Sequence, residues 1–303
     1  MQKNVDKKYL FSKEFTLKFK NVLKEMYGYE EYMDFLIVPS IFGGKMLSYI
    51  PLLGYSDRDS NLIEDLKELA KESEYQIRVL NFEYSDFQNG DSVTMRMCFN
   101  NCSSEEMLAN MKSKYRKIIK NSIRKNNFSF KIGNEEKFIE DFYQIFTNIM
   151  YKHGTPSLDK KLFYILKEIY KDDVVFYNVY DNDNIIASYC VLMDKDISYG
   201  SWGGLDEKYR DRLVGHFAYW NIIKDICDNR NKKIFDFGRS PYGSGGYTFK
   251  HRFGAYPVKV DILKKQNDDI YSKYSFASSV WKKLPKNFVD FIGPKLCKYL
   301  VDL

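Results

Sequence analysis

The chain has 303 residues, a formal net charge of +6 and five scattered cysteines. The length favours two domains of ordinary size, and the charge favours anionic partners such as phosphates, RNA or acidic lipids. The odd cysteine number without an apparent secretion signal argues against a disulfide framework, and no apolar run approaches the roughly 20 residues that span a bilayer. We therefore expect a cytoplasmic protein, with peripheral contact to the inner face of the membrane left open.

Two of the cysteines, Cys98 and Cys102, are close enough in sequence to suggest a zinc site. Neither a second close pair nor a neighbouring histidine completes four ligands. We expect no metal site.

The first hundred residues predict one α/β unit. Short apolar runs that indicate strands surround one segment with helical periodicity, which begins after Asp59 or Ser60. The predicted strands are at 35–38, 45–51, 77–80 and 93–97, and the predicted helix is at 61–71.

A capping-box pair, Ser103 and Glu106, predicts the start of one long helix that continues to about Ile123. From Lys112 to Lys131 there are eight lysines or arginines and no acidic residue. This basic face is either a solvated surface or a phosphate-binding surface. A strand at 128–132 then closes a first domain, 1–132.

The second domain, 133–303, is predicted to have two helices followed by an antiparallel meander. Asp181 to Asn184 have the composition of a hairpin turn. A helix from about Arg212 to Asn229, a strand containing Phe235 and a last strand at 258–263 follow. An amphipathic tail begins at about residue 271. We expect this tail either to pack onto its own domain or to contact anionic lipid.

The segment from Phe235 to Gly254 is the most informative part of the chain. An apolar strand leads into a loop with glycines at 238, 243, 245 and 246. Glycine lets the backbone turn sharply and approach a ligand closely. Lys250 follows this loop.

This segment resembles the Fem-type peptidyltransferases, above all the Fem-like proteins of exopolysaccharide and cell-envelope gene clusters. The resemblance covers most of the chain, weakly before Ser48 and strongly from Met111 onward. It includes further motifs in the same order, at 112–120, 153–156, 199–204, 281–285 and 292–294. It implies an α/β (α+β) fold of two tandem GNAT-like domains, with mixed, largely antiparallel sheets flanked by helices.

The resemblance also implies an acyltransferase that joins an acyl or aminoacyl group to an amine of a cell-envelope precursor, a glycan or peptide linked to lipid or nucleotide. Its donor would be aminoacyl-tRNA, and it would need no cofactor. The alternatives are a coenzyme A-dependent N-acetyltransferase of an amino sugar, and a non-catalytic envelope-assembly factor.

Lys250 matches the lysine of the Phe-Lys pair that Fem-type enzymes place at the reaction centre, where a cation stabilises the developing oxyanion. Asp236 is either a base for the attacking amine or a structural partner of Arg239, and we favour pairing. His153 and His251 have no Ser or Cys with an Asp at a recognisable spacing, so no nucleophilic triad is expected. The substrate-binding candidates are Arg239, Tyr242, Gly243, Gly245, Gly246, Tyr247 and Phe249.

The donor-binding candidates form two groups. Arg212 and Gly215 fit the pyrophosphate-binding signature of GNAT enzymes except that Phe217 occupies its last position, where we expect it to crowd a pyrophosphate. The second group is the basic helix, as a surface for tRNA: Lys114, Arg116, Lys117 and Lys120.

Overall fold

The computed structural model describes residues 10–32, 35–39, 45–48, 55–56, 65–68, 70–71, 75–263 and 277–299. The strands within these residues are β1 (Glu30–Tyr32), β2 (Phe35–Pro39), β3 (Lys45–Ser48), β4 (Tyr55–Ser56), β5 (Tyr75–Asn81), β6 (Ser92–Cys98), β7 (Phe128–Gly133), β8 (Val174–Asp181), β9 (Asn184–Asp194), β10 (Ile197–Leu205), β11 (Ile234–Pro241) and β12 (Tyr256–Leu263). The principal helices are α1 (Lys13–Tyr27), α2 (Ser104–Asn110), α3 (Ser113–Arg124), α4 (Glu136–His153), α5 (Lys160–Tyr170), α6 (Val214–Lys224), α7 (Gly245–Arg252) and α8 (Lys286–Leu296).

The chain separates into two compact units, each assembled from several segments. Unit 1 comprises Met1–Phe11, Gln88–Ile149 and Lys167–Pro257, and unit 2 comprises Ser12–Phe87, Met150–Leu166 and Val258–Leu303. Unit 1 therefore takes strands from both sides of residue 132. The domain limits 1–132 and 133–303 remain a prediction.

The sheet of unit 1 has the strand order β6-β11-β10-β9-β8-β7. Its neighbours pair antiparallel except β10 and β11, which are parallel. The predicted hairpin turn is confirmed, since Asp181 pairs with Asn184 and Asn182 adopts a φ of 54° between them. The mixed, largely antiparallel architecture is confirmed.

Helices cover both faces of this sheet, as neighbouring residues of β8 show. Phe176 lies 5.2 Å from Phe142 of α4, measured between ring centroids. On the opposite face, the Tyr177 hydroxyl donates a hydrogen bond to Asp225, directly after α6. Because successive side chains of a strand point to opposite faces, α4 and α6 enclose the sheet between them.

The single long helix predicted from Ser103 onward is wrong. The capping box is present, but α2 ends at Asn110, and Met111 has an extended backbone with a ψ of 152° before α3 begins at Ser113. Asn and Ser side chains compete for backbone hydrogen bonds and favour caps over helix interiors. Their presence beside Met111 is the signal that the apolar stripe obscured.

Unit 2 contains the sheet β1-β2-β3-β5-β12, with β4 beside β5. Ser12 caps the start of α1, and Gly28 ends it with a φ of 71°. The predicted helix at 61–71 and the strand at 45–51 lie partly outside the described residues. Where described, they are helical at 65–68 and 70–71 and extended at 45–48.

Candidate active site around Lys250

A bulge in β11 forms the base of the site. Relative to β6, the register of β11 shifts between Asp236 and Arg239. Gly238 lies inside this shift with a φ of 76°, a conformation that L side chains rarely adopt. A bulge interrupts the ladder of backbone hydrogen bonds, so it leaves carbonyl groups available for other donors.

Asp236 fixes this bulge from within the core. Its carboxylate is fully buried and accepts hydrogen bonds from Thr94 Oγ1 at 2.5 Å, Arg96 Nε at 3.0 Å and the Gly238 amide at 2.8 Å. The structural pairing favoured for Asp236 exists, but its arginine is Arg96 of the adjacent strand, so the expectation that named Arg239 is wrong. The role of Asp236 as a base remains a prediction, which these three donors do not favour.

Lys250 lies in α7 and reaches back to the bulge. Its Nζ donates hydrogen bonds to the Gly238 carbonyl at 3.1 Å and the Arg239 carbonyl at 2.9 Å. Burial lowers the pKa of Lys250 to about 8, and Arg239 lowers it further while Asp236 opposes the shift. The site thus holds a desolvated ammonium group in one orientation.

The glycine loop connects the bulge to α7. The backbone of Tyr242 is paired with the turn at 90–91, and Gly243 follows with a φ of 78°. The Ser244 hydroxyl then caps α7 by accepting a hydrogen bond from the Tyr247 amide. Gly245 has open space around its Cβ position, so the first turn of α7 is uncovered there.

Tyr242 and Tyr247 lie together at the start of α7, with ring centroids 4.6 Å apart. Tyr247 also stacks on His251, and the His251 Nδ1 contacts the Ala255 carbonyl at 2.9 Å. The structure therefore brings the ring of Tyr242, in the loop, next to Tyr247 at the start of the helix that carries Lys250. Their binding roles, like that of the half-buried Arg239, remain predictions.

An aromatic cluster underlies Phe249 on the neighbouring surface of α7. The Phe249 ring lies 5.0 Å from His216 and 5.5 Å from Tyr219, while Tyr219 stacks on Phe237 at 5.3 Å. Burial lowers the pKa of His216 to about 4, with the charge of Arg252 adding to the effect. Phe249 therefore has a packing role, and its contact with substrate remains a prediction.

The first group of predicted donor residues lies at the start of α6. Arg212 binds both carboxylate oxygens of Asp181, at 2.5 and 3.3 Å, and its guanidinium lies 4.6 Å from the Phe128 ring centroid. A Cβ on Gly215 would lie 3.1 Å from a Leu205 methyl group, so side chains closely approach this turn. The guanidinium is thus already engaged by a carboxylate.

Contrary to expectation, the side chain of Phe217 does not protrude from that turn. Its side chain is buried, with ring centroids of Phe128 and Phe130 at 5.6 and 6.3 Å. The expectation that it would crowd a pyrophosphate is wrong because the fourth residue of α6 faces the sheet.

The second group lies along α3. Lys114, Lys117 and Lys120 are exposed, whereas Arg116 is half-buried and donates a hydrogen bond to the Ala109 carbonyl at 2.5 Å. The exposed lysines are available to an anionic partner. Arg116 instead ties α3 to α2.

Sequence reasoning missed Thr94, Arg96 and His216. Thr94 and Arg96 are two positions apart in β6 and alternate with the apolar residues Val93, Met95 and Met97, so their side chains point to the same face of the sheet. A polar pair on one face of a buried strand was the available signal, because buried charges need partners. Nothing in the local sequence indicates the environment of His216.

Two findings bear on other classes of site. Within the described ranges, no three His, Cys, Asp or Glu residues are grouped so that they could hold a metal ion. None of the helices described is both long and apolar enough to cross a membrane.

His153 ends α4 as an exposed residue whose carbonyl accepts a hydrogen bond from Ser278.

Residues 110–251 match the family model of the acetyltransferase (GNAT) domain, and this segment includes α3, the β11 bulge and Lys250. No protein of curated function matches the chain.

Two solved structures share the fold. One is FemX, with a TM-score of 0.58 and 12% identity over 91% of this chain and 97% of FemX. The other is the C-terminal domain (DUF2156) of a putative lysylphosphatidylglycerol synthetase from Agrobacterium fabrum, with a TM-score of 0.50 and 10% identity over 88% of this chain and 96% of that domain.

Proposed function

Because residues 110–251 match the GNAT acetyltransferase domain and the chain shares its fold with FemX, we propose that it transfers an acyl or aminoacyl group to an amine of a cell-envelope precursor. The proposed acceptor is a glycan or peptide linked to a lipid or a nucleotide. The proposed donor is aminoacyl-tRNA. No cofactor is part of the proposal.

The geometry of Lys250 carries this proposal. An ammonium group has three N–H donors, and two of them bind the carbonyls of Gly238 and Arg239. Within the described part of the chain, the third N–H is left for a substrate oxygen. Because the two carbonyls hold the group in place, it needs little reorganisation to meet a developing negative charge.

The reaction follows from this arrangement. The neutral acceptor amine attacks the carbonyl carbon of the donor ester, and the new C–N bond produces a tetrahedral oxyanion beside Lys250. Collapse of this species breaks the C–O bond to the ribose hydroxyl, which receives the proton that the amine loses. Direct transfer requires no nucleophile from the protein.

Asp236 acts in this mechanism as a positioning residue. It binds the amide of Gly238, whose carbonyl in turn binds Lys250. Its negative charge also raises the pKa of Lys250 against the effect of burial, so it supports the cationic form.

The charge distribution supports tRNA over coenzyme A as donor. The exposed lysines of α3 present a surface suited to a polyanion. At the start of α6, the Arg212 fork is engaged by Asp181, so a pyrophosphate would have to displace a carboxylate. The match to an acetyltransferase domain keeps the coenzyme A-dependent N-acetyltransferase as the second candidate.

We also propose that α8 contacts an anionic membrane surface. One face of the helix is exposed at Phe288 and Phe291, which are 48% and 67% exposed, whereas Val289 is buried on the other face. The described tail, 277–299, contains five lysines and one aspartate. Exposed aromatic rings among lysines suit the surface of a membrane with anionic lipid. Phe276, which belongs to the same predicted amphipathic tail, lies outside the described residues.

The experiment is mass spectrometry of acceptor mixtures incubated with aminoacyl-tRNA or acetyl-coenzyme A, using wild type, Lys250→Met and the exposed-lysine control Lys208→Met. We expect wild type and Lys208→Met to transfer the aminoacyl group from aminoacyl-tRNA, and we expect Lys250→Met to lose this activity. Transfer from acetyl-coenzyme A alone would favour the second candidate. A non-catalytic assembly factor would bind the acceptor and transfer nothing from either donor.

A further inference from the structure

Unit 1 contains a cavity of 430 Å³ that the proposed reaction does not use. Its walls come from the end of β6 and the following loop, the junction of α2 with α3, and the end of α7. Arg252 lines the cavity, two residues after Lys250. Lys250 itself does not line the cavity, and its ammonium group binds the Gly238 and Arg239 carbonyls of β11 instead.

The charged groups that line this cavity are basic. Lys112 and Arg252 contribute cationic side chains, His251 contributes an imidazole, and no carboxylate side chain lines the cavity among the described residues. Across those residues, neither Lys112 nor Arg252 has an acidic partner within 4 Å. Two cations at one cavity without a counter-charge favour an anionic ligand.

The position of Arg252 strengthens this point. Its charge adds to the lowering of the His216 pKa and opposes the raising of the Tyr115 pKa by burial. The guanidinium is therefore close to one imidazole that stays neutral and one buried phenol. Neither group neutralises it, and because Arg252 is exposed, a ligand oxygen can reach its guanidinium from solvent.

The rest of the wall is apolar and aromatic. Phe99, Tyr115 and Phe253 are buried and line the cavity with Met107 and Met111. Methionine side chains adapt to the shape of a ligand. Within the described residues, the buried Tyr115 hydroxyl has no hydrogen-bond partner, which leaves a polar group in this wall that water or a ligand would satisfy.

We propose that this cavity binds a small phosphorylated molecule with a planar or apolar body, of about the size of a nucleoside monophosphate. The forked guanidinium of Arg252 and the ammonium of Lys112 bind the phosphate, and the aromatic wall binds the body. The volume lies within the roughly 300–1,000 Å³ of small-molecule sites. The site is separate from the acyl-transfer centre, so its existence does not depend on the proposed function.

Calorimetric titration of the full chain tests this proposal. The probes are adenosine monophosphate, uridine monophosphate and phenyl phosphate, each compared with its dephosphorylated counterpart. We expect at least one phosphorylated probe to bind and its counterpart to bind about tenfold more weakly or worse. Absence of binding by all three phosphorylated probes up to about 10 mM would overturn the proposal.

The matched variants are Arg252→Gln and Lys112→Gln, with Arg124→Gln as a control that removes one charge from the far end of α3. We expect about tenfold weaker binding in the first two and no change in the control. Equal weakening in all three would show that net charge, not this cavity, attracts the probe. That result would contradict the proposal.

Thiol footprinting locates the ligand independently of any substitution. Cys98 and Cys102 line the cavity, are partly exposed and are in no disulfide, whereas Cys190 is buried elsewhere in the sheet. A bound probe should slow maleimide labelling of Cys98 and Cys102, as followed by peptide mass spectrometry. Unchanged labelling at a saturating probe concentration would place the ligand elsewhere and refute the assignment.

Discussion

Two arginine–aspartate pairs mark the two places where the sequence suggested chemistry. Asp236 and Arg96 are completely buried below the β11 bulge, whereas Asp181 and Arg212 are 19% and 42% exposed at the start of α6. The buried pair cannot exchange its partner for water without a large cost, so it fixes the backbone that holds Lys250. The exposed pair is screened by water, so it contributes little to the stability of the surrounding backbone.

The largest expected effect is on stability. Asp236→Asn leaves the Arg96 charge buried without its counter-charge, and we expect it to lower the free energy of unfolding by about 3–5 kcal/mol. Asp181→Asn breaks the exposed pair and should cost about 1 kcal/mol or less. Urea denaturation of both variants measures the change in the free energy of unfolding. Equal decreases in the two variants would show that burial does not make the Asp236–Arg96 pair more important for stability.

The second prediction concerns turnover. Lys250→Met should lower kcat by about a hundredfold or more, because one preorganised charge at an oxyanion is typically worth several kcal/mol. Substrate affinity should change less. A folded Lys250→Met protein with near wild-type turnover on its identified substrate would remove Lys250 from the mechanism.

The third prediction concerns tRNA binding by the exposed lysines of α3, in contrast to the buried cation of Lys250. Reversal of Lys114, Lys117 and Lys120 to Glu should weaken tRNA binding and flatten its dependence on salt, since fewer counterions are released. Arg116 is kept because its hydrogen bond joins α3 to α2. Affinity for acetyl-coenzyme A should not change, and micromolar binding of it with no tRNA binding would favour the alternative donor.

The fourth prediction concerns α8. Phe288→Ser with Phe291→Ser should abolish flotation with vesicles of anionic lipid and leave the fold intact, because both rings are largely exposed. Vesicles of neutral lipid provide the comparison. If wild type fails to float with either lipid, the exposed face has no membrane role.

The sequence predicted the strands of unit 1 and the importance of the segment from Phe235 to Gly254, because buried strands and glycine turns leave local patterns. It did not predict that Arg96 lies beside Asp236, since 140 positions separate them and only the pairing of β6 with β11 brings them together. The break at Met111 and the inward direction of Phe217 were missed for a related reason. Each depends on competition between contacts that a local pattern does not contain.

The burial of Lys250 should make the free energy of unfolding depend on pH, and this can be measured without a substrate. Between pH 8 and its ordinary pKa of 10.5, the unfolded chain binds a proton at Lys250 that the folded chain has released. The free energy of unfolding should therefore rise with pH across this window in wild type, and this contribution should vanish in Lys250→Met. Identical pH dependence in both proteins would show that the lysine is not desolvated.

The most direct test of the oxyanion role is the ratio of wild-type kcat to that of Lys250→Arg between pH 6 and 10. The ratio cancels ionisation of the acceptor amine, and the arginine stays charged throughout. We predict that the ratio falls as pH rises through about 8, because wild type loses its cation there. A ratio that rises through about 8 would mean that the neutral amine of Lys250 acts as a base, and this would contradict the account.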